Sequence, residues 1–187
     1  MLQVAQQAPA PDVLETYAGI SAEYEVTARV DIDALHHGDL VPFPVDPPYT
    51  KSLDDEDPRD WPLFYDLEDW ALLFAVEDGT TVGACAVATG VTSVYFDSEP
   101  WEALLWDIRV SPEHRGRGVG KALLCAAADW ARAEACLALL IETQDTNFAA
   151  CKLYRSAHGS LSVVRPGAYA SHPDEALIVW RLSLSPQ

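Results

Sequence analysis

The segment Asp107–Lys121, DIRVSPEHRGRGVGK, constrains this chain more than any other part of the sequence. An extended, apolar run enters a Ser-Pro turn and then a loop that contains Gly116, Gly118 and Gly120. A helical pattern begins near Val119, directly after the loop. Glycines at alternate positions leave backbone N–H groups uncovered, and the start of a helix adds unpaired N–H groups and the positive end of its dipole. The segment is therefore predicted to form a cradle for a diphosphate.

Spacing distinguishes between three known phosphate-binding loops. A Walker A loop is excluded because Ala122 stands where a metal-binding hydroxyl is required. A Rossmann loop is excluded because its third glycine would fall on Lys121. The pattern R-x-x-G-x-G fits, with Arg115, Gly118 and Gly120 between a strand and a helix. The alternative is a glycine-rich surface loop whose basic residues serve solubility, and the elements on both sides favour the binding loop.

This R-x-x-G-x-G segment resembles the coenzyme A signature of the GNAT superfamily of N-acetyltransferases. The motifs WDIRV, RGRGVGKAL, IETQDTNFAACKLY and PGAYASHP are similar in order and spacing to those of streptothricin acetyltransferases within that superfamily. The resemblance covers roughly Tyr49 to Leu184. It implies an α/β fold of the α+β mixed-sheet kind, with a central, mostly antiparallel sheet, two splayed parallel strands and helices on both faces. It also implies acetyl-CoA as the co-substrate.

The hydrophobic pattern along the chain agrees with such a fold. The interval Ile32–Asp69 is interpreted as two short helices joined by a proline-rich loop. Asp78-Gly79 predicts a hairpin turn, and helices are predicted from about Val119 and over Asn147–Ala157. The predicted strands are Ala22–Asp31, Trp70–Glu77, Thr81–Thr89, Trp101–Val110, Leu137–Thr143, Leu161–Val164 and Leu177–Leu184.

Length and composition indicate one domain. The chain has 187 residues, of which 49% are hydrophobic, and this is enough for a buried core. Residues 1–12 are predicted to be a flexible N-terminal tail, and residues 13–187 a single N-acetyltransferase domain. The start of the sequence has no export signal, so a cytoplasmic location is expected. Cys85, Cys125, Cys136 and Cys151 show no C-x-x-C pairing and are interpreted as buried free thiols.

The charge is strongly negative, with 12 basic and 29 acidic residues and a formal net charge of −17. Such a surface repels nucleic acid and anionic membranes, and it attracts cations over long distances. It suits a small amine substrate with several positive charges, although acidity that serves only solubility is an equal interpretation. The sequence does not determine the oligomeric state, and a homodimer is one alternative. The five histidines show no metal-ligand spacing, so no metal site is predicted.

The resemblance implies where acetyl-CoA binds. Its pantetheine arm is expected between Trp101–Val110 and Leu137–Thr143, where a bulge in the first strand would release backbone groups of Ile108 and Val110. The diphosphate is expected on the N–H groups of the glycine loop, with charge-assisted contacts from arginine side chains. The predicted loop residues are Arg115, Gly116, Arg117, Gly118, Val119, Gly120 and Lys121.

Asn147 and Tyr154 are seven residues apart on a predicted helix. At about 1.5 Å per residue, they share one face and are separated by about 10 Å. The resemblance implies that Asn147 hydrogen-bonds the pantetheine arm and that Tyr154 is the general acid for the departing thiolate. The alternatives are a helix cap for Asn147 and a half-buried aromatic residue for Tyr154.

Two carboxylates are candidates for the general base. An alkylamine with a pKa of about 10 must lose a proton before it attacks a thioester. Asp107 and Glu142 lie one on each splayed strand. Alternation turns only some side chains of these strands toward the cleft, and a bulge shifts the count, so Asp107 is only slightly preferred. Either one is alternatively a group that binds the substrate cation, or an ion-pair partner of Arg109.

The acceptor side of the cleft is less defined by the sequence. The acidic run Asp54–Asp57 is expected either to form one wall of the acceptor site, with further acidic residues, or to be a solvated face. Those further residues are Asp60, Asp66, Glu68 and Asp69, and Tyr169, Trp106 and Trp61 are candidates to line the cleft.

The predicted function is transfer of acetyl from acetyl-CoA to a primary amine of a small cationic substrate, by direct attack in a ternary complex. A streptothricin-type antibiotic is one such acceptor. A polyamine or a protein amine as the acceptor, and a non-catalytic acyl-CoA-binding sensor, are the alternatives.

Overall fold

The computed structural model describes residues 1–53 and 56–184. Within these ranges the chain forms nine strands and five α-helices. The strands are β1 (Leu2–Gln7), β2 (Glu23–Val30), β3 (Pro42–Ser52), β4 (Trp70–Glu77), β5 (Thr80–Ala88), β6 (Glu102–Val110), β7 (Ala138–Gln144), β8 (Ser160–Pro166) and β9 (Ala176–Ser183). The helices are α1 (Pro11–Ala18), α2 (Ile32–His36), α3 (Trp61–Phe64), α4 (Val119–Ala133) and α5 (Phe148–Ser156).

Seven strands form one sheet in the order β1-β4-β5-β6-β7-β9-β8, and β2 and β3 form a separate two-stranded sheet. β6 and β7 are parallel, and the other neighbouring pairs of the large sheet are antiparallel. This arrangement confirms the predicted mixed sheet, in which one parallel pair lies within a mostly antiparallel sheet.

Helices cover both faces of the large sheet, because successive side chains of a strand point to opposite faces. Leu73 of β4 belongs to a core that also contains the buried face of α4 and Tyr154 of α5. Its neighbour Leu72 belongs to a second core, which contains Tyr17 of α1. The period of two along the central strands therefore produces the two helix layers that were predicted.

β6 and β7 pair over only part of their length. Their parallel pairing begins with Glu102 opposite Ala138 and ends with Leu105 opposite Ile141. Both strands continue beyond this point, but β7 continues to pair only with β9. The sheet therefore contains a gap between the carboxyl ends of its two parallel strands.

A β-bulge lies at the same point in β6. Ala86 of β5 is opposite Asp107, whereas Val87 is opposite Leu105, so Trp106 is an extra residue on β6. An extra residue reverses which face the following side chains point to. The bulge therefore determines which residues of β6 face the gap.

Residues 1–12 differ from the predicted flexible tail. Leu2–Gln7 is β1, which pairs with β4 along its whole length, and α1 begins at Pro11. Leu2 and Val4 pack against the core. The edge of β4 explains the ordering, because its backbone groups need partners and a short strand supplies them. Two apolar residues at alternate positions were too weak a pattern to predict this strand.

The proline-rich loop predicted within Ile32–Asp69 is wrong in its larger part. Helices α2 and α3 lie where two short helices were predicted, but Pro42–Ser52 is strand β3, paired with β2. Within the part of the chain that the structure describes, β3 pairs with β2 alone, and proline is tolerated on an edge strand because the missing N–H group can face away from the sheet.

Several local predictions are confirmed. Asp78 and Gly79 form the turn between β4 and β5 with φ angles of 50° and 84°. Three of the four cysteines are buried free thiols as predicted, whereas Cys125 lies exposed on the outer face of α4. Within the described ranges, no helix is long and apolar enough to cross a bilayer.

Asp145 attaches the two-stranded sheet to the large one. Its carboxylate lies 2.7 Å from Nη2 of Arg29 on β2, and it accepts a hydrogen bond from the Ala176 N–H group at 2.9 Å. Its carbonyl oxygen accepts a hydrogen bond from the N–H group of Val30 at 2.8 Å. Asp145 is 3% exposed, so these contacts are shielded from water. They hold the turn that leads to Asn147 and α5.

Replacing this carboxylate tests its structural role. Asp145→Ala is expected to lower the free energy of unfolding by about 2–3 kcal/mol, because it leaves the buried Ala176 N–H group without its acceptor and removes the closer of the two carboxylates that contact Arg29. Asp174→Ala is the matched control, since Asp174 is the exposed second partner of Arg29 at 3.5 Å. The control should cost less than about 1 kcal/mol. Urea denaturation followed by circular dichroism measures both, and equal costs would contradict the proposed role of Asp145.

Candidate active site

One cavity of about 1370 Å³ follows the gap between β6 and β7. The diverging ends of both strands line it, together with the loop before α4, one face of α5 and part of the two-stranded sheet. Arg117 and Val119 do not line it. The predicted site residues that the cavity brings together are Asp107, Ile108, Val110, Arg115, Gly116, Gly118, Gly120, Lys121, Glu142, Asn147 and Tyr154.

The loop before α4 has the conformation of an anion cradle. Gly118 is the N-cap of α4 with a φ of 90°, and Gly116 has a φ of 72°, values that other residues rarely adopt. Ala122 N–H bonds to Gly118 O at 3.0 Å, so the N–H groups before Ala122 have no intrahelical acceptor. A Cβ atom at Gly116 or Gly118 would meet nothing within 4 Å. The cradle therefore has both the donors and the space that a diphosphate requires.

The start of α4 also packs against the protein. A Cβ atom at Gly120 would lie 3.3 Å from Cδ2 of Leu153, so this glycine permits close contact between α4 and α5. Val119 is 3% exposed, and its side chain belongs to the core. Only its backbone N–H group can serve a ligand. Lys121 lines the cavity and is the charged side chain at this end of the helix.

Both arginines of the loop contact protein groups. Arg115 donates from Nε to the carbonyl oxygen of Val110 at 2.9 Å and from Nη2 to that of Glu23 at 2.6 Å. Arg117 forms an ion pair with Glu77 at 3.2 Å. In this structure the guanidinium groups anchor the loop, and the groups that face the diphosphate position are backbone N–H groups.

The edge of β6 beyond the bulge lies open to the cavity. Ile108 and Val110 are opposite Cys85 and Gly83 of β5, and on the other side β7 has already diverged. The carbonyl oxygen of Val110 is occupied by Arg115, whereas the backbone at Ile108 has the open edge that was predicted. A ligand with its own amides can use this edge as a further strand would.

Asn147 and Tyr154 line the cavity from the same side of α5. The Oδ1 atom of Asn147 accepts a hydrogen bond from the N–H group of Ala150 at 3.1 Å, which makes Asn147 the N-cap of the helix. This cap leaves the Nδ2 amide group for another acceptor. The cap and the predicted contact with the pantetheine arm are therefore compatible.

The Tyr154 phenol is buried, with 3% of the residue exposed. Burial raises the pKa of Tyr154, and Cys151, Asp107 and Cys85 raise it further. No hydrogen bond within the described residues involves its hydroxyl. The phenol is thus protonated at neutral pH, and its proton is available to a group in the cavity.

Asp107, the slightly preferred candidate for the base, is held by a cation. Nε of Arg109 lies 2.6 Å from Oδ2 of Asp107, and the Arg109 guanidinium lies 5.6 Å from the ring centre of Tyr17. The bulge at Trp106 is the cause, because it turns Asp107 and Arg109 toward the α1 layer and Ile108 toward the α5 layer. The alternative of an ion pair with Arg109 therefore describes Asp107 in this structure.

Glu142 has the environment expected of a general base. Its Oε1 atom accepts a hydrogen bond from the hydroxyl of Tyr169 at 2.9 Å. Burial raises the pKa of Glu142, the hydrogen bond from Tyr169 lowers it, and the charge of Glu56 raises it. The net effect is a raised pKa, which lies closer to neutral pH and makes the carboxylate a stronger base.

Among the described residues of the predicted acidic wall, Glu56 alone lines the cavity. Asp54 and Asp55 lie outside the described residues. Glu56 lines the cavity, whereas Asp57 pairs with Arg59 at 2.5 Å. Trp61, Trp106 and Tyr169 line the cavity as expected, and Asp60, Asp66, Glu68 and Asp69 do not.

The sequence analysis missed several residues of the acceptor side. Lys51 of β3 and Glu175, which directly precedes β9, form a close, largely buried ion pair that lines the cavity. Their separation of 124 residues leaves no local pattern that would reveal the pair. Tyr65 and Tyr95 also line the cavity. Tyr65 belongs to the same aromatic segment as Trp61, so the pattern that indicated Trp61 could also have indicated Tyr65.

A cavity that can bind a diphosphate at one end and presents a phenol and a carboxylate at the other can move an acyl group from coenzyme A to an amine. The fold and the site together define the class of acyl-CoA-dependent N-acyltransferases. The family model described as "Acetyltransferase (GNAT) family" matches residues 33–159, more than half of the chain. The chain therefore belongs to the GNAT acetyltransferase family and is an acetyl-CoA-dependent N-acetyltransferase.

Similar proteins include two streptothricin acetyltransferases. That of Streptomyces lavendulae is 29% identical over 149 residues, which cover 78% of this chain and 75% of the relative. Streptothricin acetyltransferase A of Bacillus subtilis (strain 168) is 39% identical over 80 residues, 42% of this chain. The second match spans only 46% of the length of that relative.

Solved structures show the same fold. Nourseothricin acetyltransferase superposes with a TM-score of 0.74 at 24% identity, over 98% of this chain and 99% of that chain. A Bacillus anthracis str. Ames protein assigned as a streptothricin acetyltransferase, in complex with acetyl coenzyme A, gives a TM-score of 0.77 at 22% identity, over 98% of both chains. This likeness confirms the predicted GNAT fold.

The cradle yields a test on one glycine. Gly118→Val places a β-branched side chain over the exposed amides, so the dissociation constant of acetyl-CoA is expected to rise at least about tenfold, or ~1.4 kcal/mol. Gly38→Val is the matched control, because Gly38 has a φ of 92°, similar open space and no contact with the cavity. Calorimetric titration measures the dissociation constant of acetyl-CoA for both variants, and circular dichroism checks that they are folded. Unchanged affinity in a folded Gly118→Val variant would exclude the cradle as the acetyl-CoA site.

Proposed function

We propose that this protein acetylates a primary amine of a small cationic substrate of the streptothricin type, by direct attack of the amine on acetyl-CoA in a ternary complex. The observation that carries the proposal is the position of Tyr154 and Glu142, which reach one cavity from α5 and β7. Similarity to streptothricin acetyltransferases supports the acceptor class. The net charge of −17 favours the approach of a cation.

Glu142 is the proposed general base. An alkylamine with a pKa of about 10 is mostly protonated at neutral pH, so a group in the site must remove a proton before the nitrogen attacks. Tyr169 occupies Oε1 of Glu142 and orients the carboxylate, which leaves Oε2 for the ammonium group. The same carboxylate attracts the cation before it accepts the proton.

Tyr154 is the proposed general acid. When the acetyl group moves to the amine, the bond to sulfur breaks and the sulfur carries a negative charge that a proton neutralises. The Tyr154 hydroxyl holds a proton at neutral pH and lines the cavity on the α5 side. Asn147 and the open edge of β6 are proposed to orient the pantetheine arm, and the glycine loop to hold the diphosphate. Glu142 therefore removes one proton from the amine, and Tyr154 donates one proton to the sulfur.

The Tyr154 hydroxyl provides the test of this function. Tyr154→Phe keeps the ring and its packing, and kcat with streptothricin as the acceptor is expected to fall by ~10²–10⁴. Acetyl-CoA affinity should stay within a few-fold of that of the unmodified protein, because the hydroxyl acts as the thiolate leaves. Steady-state release of the CoA thiol measures the rate, and calorimetry measures the affinity.

Controls separate this proposal from its alternatives. Tyr49→Phe removes an exposed hydroxyl elsewhere and should leave kcat unchanged. A polyamine or a peptide amine that is acetylated with a higher kcat/KM than streptothricin would replace the acceptor class. Acetyl-CoA binding without release of CoA thiol from any amine would indicate the non-catalytic sensor. Full kcat in Tyr154→Phe would show that the phenol is not the acid.

A further inference from the structure

Three residues form a corner at the acceptor end of the cavity. Trp106 is the bulged residue of β6, half-buried, and its side chain lines the cavity. The rings of Tyr65 and Trp106 are 4.9 Å apart between centres at an angle of 65°. The Tyr65 hydroxyl donates a hydrogen bond to Oε1 of Glu56 at 3.2 Å. We call these three residues the aromatic–acidic corner.

Glu56 differs from other carboxylates that line the cavity. Asp107 is paired with Arg109, and Glu175 is paired with Lys51. Within residues 1–53 and 56–184, the bond from Tyr65 is the polar contact of Glu56, and no basic side chain pairs with it. Its negative charge therefore remains available to a group that enters the cavity.

Glu56 and Glu142 line the same cavity. They come from distant parts of the sequence. Burial is the main cause that raises the pKa of Glu142, and the charge of Glu56 contributes in the same direction. Each is oriented by a tyrosine hydroxyl, Tyr65 in one case and Tyr169 in the other. Two carboxylates that line one cavity favour a ligand that carries two positive charges.

We infer that the aromatic–acidic corner is a second cation subsite, which binds an ammonium or guanidinium group of the acceptor while the reacting amine lies at Glu142. The faces of the Trp106 and Tyr65 rings attract a cation, and the Glu56 carboxylate accepts charge-assisted hydrogen bonds from it. The subsite selects acceptors with two separated positive charges over acceptors with one. This inference rests on the proposed function, since it concerns the same amine substrate.

Binding of a matched pair of amines tests the subsite without turnover. The protein loaded with CoA is titrated with 1,5-diaminopentane and with 1-aminopentane, which differ in one amino group. The diamine is expected to bind about tenfold more tightly, and Glu56→Gln is expected to remove most of this preference, a change of ~1.4 kcal/mol. Glu56 is exposed, so the amide variant should fold normally.

Asp60→Asn is the matched control, because Asp60 is an exposed acidic residue of the same segment that does not line the cavity. It removes one negative charge from the surface and should keep the preference for the diamine. An equal preference in Glu56→Gln and the unmodified protein, an equal loss in both variants, or no binding of either amine would overturn the subsite.

The two proposals fail in different ways. A Glu56-dependent preference for the diamine without release of CoA thiol from acetyl-CoA and any amine would retain the subsite and reject acetyl transfer. Release of CoA thiol with streptothricin, together with equal binding of the two amines, would retain the function and reject the subsite. Trp106→Leu, assayed in the same titration, should weaken binding of the diamine more than that of the monoamine, and equal weakening would exclude the indole ring from the subsite.

Discussion

The site depends on the point where β6 and β7 stop pairing. If the parallel ladder continued beyond Leu105 and Ile141, each strand would use its backbone groups on the other and no cavity would exist between them. The bulge at Trp106 lies at the same level and reverses the facing of the side chains that follow. It turns Ile108 toward α5, while Asp107 and its ion-pair partner turn toward α1. The end of the ladder therefore creates the open edge, and the bulge determines which side chains of β6 face it.

The charged groups around the cavity divide into two kinds. Ion pairs such as Arg29 with Asp145 and Lys51 with Glu175 connect the two-stranded sheet to the large one, and each buried charge has its counter-charge. Glu142 and Glu56 instead accept hydrogen bonds from tyrosine hydroxyls. A tyrosine hydroxyl orients a carboxylate without supplying a counter-charge, which is the arrangement that the proposed cationic acceptor would need.

Local patterns predicted the elements that carry the site. The glycine loop, the helix from Val119 and the spacing of Asn147 and Tyr154 are all short-range features, and the structure places them as the pattern indicates. Their roles toward acetyl-CoA stay predictions that the variants above test. The family comparison and the fold agree with what these motifs implied.

Features that depend on contacts between distant segments could not be predicted from the sequence. The choice between Asp107 and Glu142 depended on where the expected bulge lies, and the residue pattern does not show that position; the structure has it at Trp106 and pairs Asp107 with Arg109. β1 and β3 form because neighbouring strands offer them backbone partners, although their own residues are weak strand formers. The Arg115 contacts with Val110 and Glu23 likewise depend on how β2 lies beside the loop.

In the proposed reaction Glu142, and not Asp107, accepts the proton of the amine. The most direct measurement is the pH dependence of kcat/KM for Glu142→Gln and Asp107→Asn, with streptothricin as the acceptor. A base is lost as the pH falls through its pKa, and burial has moved that pKa upward for Glu142. We expect Glu142→Gln to lower kcat/KM by ~10²–10⁴ and to remove the fall of activity at low pH, whereas Asp107→Asn should keep that fall. Retention of the full rate and pH profile by Glu142→Gln, with their loss in a folded Asp107→Asn variant, would contradict this role of Glu142.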